Sequence, residues 1–160
     1  MKVWGVWKVR KVLLTLEIEI YRCTFVHMEN RFENGFRKLI AWQEAHALTL
    51  LIYHTTAHFP IEERYGITSQ LRRAASSIAA QIAEGSRMET SAHRKSYYDR
   101  AYASAAEVDN FLQLSNDLRF LPNDQYRSLI NKLNCVSFLV HRLSSSCHSK
   151  KQTVKPSLPS

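Results

Sequence analysis

YGITSQLRRAASSIAAQIAEG, residues 65–85, is the most regular segment of this 160-residue chain. Leu71, Ala74, Ala75, Ile78 and Ile82 recur at spacings of three and four, which draws an apolar stripe down one face of a helix. Ala75, Ser76, Ala79, Ala80 and Ala83 keep the helix thin, so that a neighbouring helix can approach closely. Gly66 lies just before it and Gly85 just after, where a glycine in the left-handed conformation would stop the helix. Arg72 and Arg73 fall in the first half and Glu84 at the end, the reverse of what the helix dipole favours. The arginine pair is therefore placed to meet a partner, either a carboxylate of another helix or a phosphate.

On the N-terminal side, a helix is expected from Arg37 to His58, ended by Pro60, with Ala41, Ala45, Leu48, Ile52 and Phe59 facing inward. Trp42 and Tyr53 sit at the margins of that stripe. On the C-terminal side, Thr90 or Ser91 caps a third helix running from Ala92 to Leu118, roughly 40 Å long. Tyr98, Ala101, Ala105, Val108 and Leu112 mark its core face, and Ala101, Ala103, Ala105 and Ala106 give it a thin surface to set against the second helix. Pro122 and Asn123 open a fourth helix, with Asn123 as cap, Asp124 in the first turn, and Tyr126, Leu129, Ile130, Leu133, Val136, Val140 and Leu143 in helical period. Short connections favour antiparallel neighbours. The expected fold is all-α, an up-down-up-down four-helix bundle over residues 36–148.

The length suits one domain with a real core, and 45% hydrophobic with 22% charged residues is ordinary for a globular protein. Cys23, Cys135 and Cys147 are odd in number and widely separated, which gives neither a disulfide framework nor a zinc site and fits a reducing cytoplasm. Net charge is +8, of which residues 36–148 carry +3 and the last twelve residues another +3. Residues 1–35 are read as a poorly ordered extension. Within its first 27 residues, Val3, Val9, Val12, Leu14, Leu16, Ile18 and Ile20 nearly alternate, so the other reading is a strand that pairs with a partner. Lys8, Arg10 and Lys11 interrupt any signal or membrane-spanning pattern. Met28 is an alternative start. Residues 149–160, with Pro156 and Pro159, read as a disordered basic tail.

The chain offers little to catalysis. Di-iron bundles need Glu-x-x-His pairs, and no Glu here has His three residues on; P-loop, dinucleotide and nucleophile-elbow glycine patterns are absent as well. His54 and His58 are four apart but have no acidic or cysteine ligand beside them, so no metal or other cofactor is expected. Glu84, Glu107 and Asp109 read more simply as ion-pair partners of Arg72 or Arg73 than as a catalytic pair. The candidate nucleic-acid-binding residues are Arg72, Arg73, Arg87, Arg94 and Lys95, with His93 and Arg100 nearby and Tyr97, Tyr98 and Tyr102 interleaved. Cations neutralise phosphates and exposed tyrosines stack on unpaired bases. The structural alternative is that the arginines pair with Glu84 or Glu107 and that the tyrosines are core or subunit contacts.

YGITSQLRRAASSIAAQIAEG resembles the signature of the bacterial four helix bundle proteins, also called 23S ribosomal RNA intervening-sequence proteins. FRKLIAWQEAH at Phe36–His46, FPIEERYG at Phe59–Gly66 and ASAAEVDNFLQLSNDLRFLPNDQY at Ala103–Tyr126 are similar to other parts of that family. Where the family commonly has proline, asparagine and glycine, this chain has Ala79, Gln81 and Ala103; loss of the proline should straighten the second helix. The resemblance implies a homopentamer around a central axis. A related bundle, the accessory variability protein of diversity-generating retroelements, is thought to bind nucleic acid and a reverse transcriptase, which implies RNA or a ribonucleoprotein as partner here. The alternative is a protein-interaction scaffold that grips a partner helix through an exposed apolar face.

Overall fold

The computed structural model describes residues 35–147; the readings made for residues 1–34 and 148–160, including Cys23 and the basic tail, lie outside them. Four α-helices follow in order, α1 Ile40–Thr55, α2 Ile67–Ser86, α3 Ser91–Asp117 and α4 Asn123–Ser146. Helices α1 and α2, α2 and α3, and α3 and α4 pack together, and α4 closes the ring against α1. This is the four-helix bundle that the apolar stripes call for. Ala41, Ala45, Leu48 and Ile52 of α1 meet Leu71, Ala74, Ala75, Ile78 and Ile82 of α2 in one core with the inner faces of α3 and α4.

Helices α2 and α3 form the most extensive seam of the bundle; of the small residues expected there, Ala75, Ala79, Ala101 and Ala105 are buried, whereas Ser76, Ala80, Ala103 and Ala106 are exposed. Arg73, Ser77 and Gly85 of α2 meet Glu107, Ser104 and Tyr98 of α3 in turn, so positions rise along one helix as they fall along the other. The Ser77 and Ser104 hydroxyls are 3.0 Å apart within this seam. Helix α2 runs through Ala79 without interruption, as expected where the chain lacks a proline.

Several helix ends differ from the sequence reading. Helix α1 does not begin at Arg37: residues Phe36–Lys38 form a separate 3-10 turn, and Leu39 is extended with ψ 119°. The Leu39 carbonyl then accepts from Trp42 and Gln43, and the Gln43 side chain donates back to the Arg37 carbonyl at 2.8 Å. At the other end, the Thr56 hydroxyl donates to the Ile52 carbonyl at 2.7 Å, and the last turn tightens into a 3-10 segment, Thr56–His58. Gly85 is no stop signal. It lies inside α2, buried, and no glycine among the described residues has positive φ.

Helix α2 is entered through the 3-10 turn Ile61–Arg64, and the Glu63 carboxylate accepts from the Ile67 amide at 3.0 Å. A Cβ at Gly66 would meet that carboxylate, the flexible end of the Glu63 side chain, which could move aside only by giving up its bond to the Ile67 amide. Thr90 rather than Ser91 caps α3, its hydroxyl accepting from the His93 amide at 3.2 Å. Asn123 is the first residue of α4 and not its cap; Pro122 holds that position, and Asp124 falls in the first turn. Beyond the Leu118 cap of α3, Arg119 takes φ 61°, and the Phe120 and Arg119 amides donate back to the Ser115 and Asn116 carbonyls in a Schellman arrangement.

Candidate functional site

The five candidate cations do not share one environment. Arg72 turns toward the end of α1, where its Nε donates to the Thr56 hydroxyl at 2.8 Å, Nη2 to the Tyr53 carbonyl at 3.5 Å, and its guanidinium lies 4.8 Å from the Tyr53 ring centre. The C-terminal carbonyls of a helix attract a cation, so Arg72 ties α2 to α1. Arg73 pairs with Glu107 at 3.0 Å and also donates to Gln70. Of the three carboxylates weighed for the pair, Glu84, Glu107 and Asp109, α3 supplies Glu107 to Arg73, and Arg72 instead bonds Thr56 and the Tyr53 carbonyl.

Lys95 pairs with Asp99 one turn on, and Asp99 in turn accepts from Ser144 of α4 at 2.5 Å. Arg87 lies 6.0 Å from the Phe36 ring centre. Arg94 donates through Nη2 to the Glu89 carbonyl at 3.2 Å. Tyr98 is a core residue, Tyr97 is half-buried with Arg100 over its ring, and Tyr102 is exposed beside His141. Burial pushes the Tyr98 phenol above its ordinary range; Cys147 adds to that rise and Arg94 opposes it.

The exposed apolar face that the scaffold reading calls for was assigned to no residues, and α1 and α4 offer a candidate for it. Helix α1 is apolar on its outer side as well as its inner one: Ile40, at the start of the helix, is 64% exposed, and Leu50, 58% exposed, stands next to the exposed Leu51 near its end. Across the seam, α4 presents Phe138, 60% exposed, and Cys135. Between the helices lies a groove of about 710 Å³ walled by Ala47, Leu50, Leu51 and Cys135, with the ion pair of Lys132 and Glu44 at its polar edge. The signal was present in IAWQEAHALTLLIYH, where Ala47, Leu50 and Leu51 exceed what one stripe needs. His54 also lines this groove, and among the described residues no three His, Cys, Asp or Glu side chains gather as a metal site. Nor is any described helix long and apolar enough to cross a membrane.

A family model described as 23S rRNA-intervening sequence protein matches residues 37–142. A solved structure of a protein of unknown function from the S23 ribosomal protein family of Bacteroides thetaiotaomicron VPI-5482 is similar with a TM-score of 0.60. At 18% sequence identity, that similarity covers 66% of this chain and 98% of the other. A likeness at that identity concerns the fold, and the fold is the same bundle. No curated protein sequence matches the chain. The family match spans all four helices and well over half of the sequence: the chain belongs to the 23S rRNA-intervening sequence protein family.

Proposed function

We propose that this protein is a non-enzymatic interaction module that assembles with further copies of itself through the α1–α4 face. The observation that carries the reading is the exposure of Ile40, Leu50 and Leu51 on α1 and of Phe138 on the neighbouring α4. Isolated surface leucines are common, whereas Leu50 and Leu51 adjoin on the wall of one groove, and an apolar wall of that kind marks an interface. The occupant is a second copy because the chain carries another apolar patch elsewhere. Leu114 and Leu118, one turn apart on α3, are exposed, and α3 packs between α2 and α4. Two different patches on one subunit make a head-to-tail contact, which closes into a ring when the rotation fits. The family resemblance puts the number of copies at five.

Sedimentation velocity on the full chain tests this, alongside a Leu50→Asp, Phe138→Asp double variant and a Leu118→Asp variant. The wild type should assemble and both variants should sediment as helical monomers. A wild type that stays monomeric across the micromolar range, or variants that assemble unchanged, would overturn the proposal.

RNA binding is the second reading, favoured by the family's description and by the His93, Arg94 and Lys95 run at the start of α3. Arg72 and Arg73 support it less, because both have partners within the chain. Binding of a structured ribosomal RNA fragment to the full chain across a salt series tests it. Affinity should fall with salt, by a slope of about 0.7–0.9 per phosphate contact, and should survive Arg72→Ala. No measurable binding at low salt would remove this reading and leave the assembly module.

A further inference from the structure

The start of α1 and the end of α4 enclose an apolar hollow of about 450 Å³ between Ile40, Leu139 and Leu143. Its charged residues are two cations, Lys38 and Arg142, and no described carboxylate lines it. This hollow sets residues 38–41 against 139–146, and the groove at Leu50 and Leu51 sets residues 44–54 against 128–135, so the two follow one another along the α1–α4 seam. An apolar floor entered beside two cations fits an occupant that alternates apolar and acidic residues.

The chain itself contains one. LTLEIEI, residues 14–20, alternates Leu14, Leu16, Ile18 and Ile20 with Thr15, Glu17 and Glu19 and has no cation. In an extended chain the four apolar side chains share one side and the acids take the other. The attachment point is also suitable: the Gly35 carbonyl accepts from the Lys38 amide at 3.2 Å, so residues 1–34 join the bundle at the edge of the hollow. Residues 21–34 reach at most about 50 Å, ample to bring Ile20 to the hollow. Residues 14–20 then cover about 23 Å when extended, against about 21 Å of α1 from Ile40 to His54. Residues 148–160 follow α4 beside the same hollow, but they carry Lys150, Lys151 and Lys155 and no acid, and Lys38 and Arg142 would repel them.

We propose that residues 14–20 dock on their own bundle along the α1–α4 seam. Ile20 and Ile18 fill the hollow, Leu16 and Leu14 continue into the groove, and Glu19 and Glu17 lie beside Arg142 and Lys38. The seam is also the face assigned to a neighbouring copy, so the segment competes with self-assembly. Only the uncovered fraction of bundles is competent to associate, which weakens the apparent affinity between copies. That consequence rests on the assembly reading, whereas the docking does not.

Cross-linking with bismaleimidoethane, which joins nearby thiols, tests the docking in the full chain carrying Thr15→Cys and Cys23→Ser. Position 15 should link to Cys135, exposed on the groove wall, at least about fivefold more than to Cys147 once the reactivity of each thiol is taken into account. In a dilute mixture of unlabelled and isotope-labelled protein, each linked pair should carry a single label. Adding Leu16→Asp with Ile18→Asp, or Arg142→Glu alone, should lower the link by about fivefold while thermal melting reports an intact bundle. A missing link to Cys135, an equal link to Cys147, pairs of mixed label, or an unchanged yield in the folded variants would each overturn the docking. In sedimentation velocity, Leu16→Asp with Ile18→Asp in the otherwise native chain should associate at a concentration lower by about threefold or more. Intact docking with association unchanged or absent would overturn the competition alone, so failure of the docking and failure of the assembly reading are told apart.

Discussion

Tyr98 occupies the space that a side chain at Gly85 would need: a Cβ built there would lie 2.7 Å from Tyr98 Cε1 and 3.0 Å from Tyr97 Cβ. The glycine lets α3 reach α2 at the end of their shared seam. Alanine would favour an α-helix by up to about 1 kcal/mol over glycine. Here the overpacking opposes it, and Tyr97 Cβ cannot swing aside because it is fixed to the backbone. Gly85→Ala should therefore destabilise the protein by about 1–3 kcal/mol in urea titration, and an unchanged or raised midpoint would contradict this packing account.

Arg119 provides the opposite case. It holds φ 61° at the end of α3, is exposed, and lacks the freedom of glycine. A left-handed backbone costs an ordinary residue roughly 1–2 kcal/mol, partly offset by the chain entropy that glycine loses on folding. Arg119→Gly should raise stability by about 0.5–1 kcal/mol, read as a higher melting temperature.

The adjacent arginines should separate in a stability assay. Arg73 and Glu107 have side chains 69% and 37% exposed, so their ion pair should contribute no more than about 1 kcal/mol in a double-mutant cycle and fade with salt. Arg72 is half-buried and bonded to the buried Thr56 and the Tyr53 carbonyl. Its loss removes a charge-assisted bond of about 1.5–3 kcal/mol together with the contact to the Tyr53 ring. Arg72→Ala should consequently lower the urea midpoint clearly more than Arg73→Ala does.

Alkaline pH should expose Tyr98. The folded protein holds its phenolic proton more tightly than the unfolded chain does. The stability this confers is complete below the ordinary phenol value of 10.0 and is lost as pH rises through the higher folded value. Tyr98→Phe should make the decline in melting temperature above that pH shallower than in the wild type. Identical alkaline slopes would show that burial of this phenol contributes nothing.

The inner faces were readable because each helix repeats one chemical pattern: Leu71 through Ile82 and Ala41 through Ile52 lie inside as their spacing requires. The Thr90 cap followed from a local hydrogen bond. Gly85 misled for the same local reason, since a glycine after an apolar stripe looks like a stop until Tyr98, on another helix, occupies the space beside it. Arg72 finds Thr56 sixteen positions away, a partner set by how α1 and α2 cross and not by spacing along α2. The groove at Leu50 and Leu51 escaped notice because a stripe count asks which residues face inward and passes over the apolar remainder.

Helix α1 is the shortest of the four, and its seam with α4 is the least extensive in the ring, against the close fit of α2 to α3. The bundle is thus hinged like a book whose front cover is loosely held. Local opening should begin there, giving the α1 amides the fastest hydrogen exchange and the core of α2 and α3 the slowest. If a neighbouring copy lies over the α1–α4 face, it closes that cover, and protection of α1 becomes a function of protein concentration while α2 and α3 are indifferent to it. Folding of one helix and association of the subunits would then be a single equilibrium.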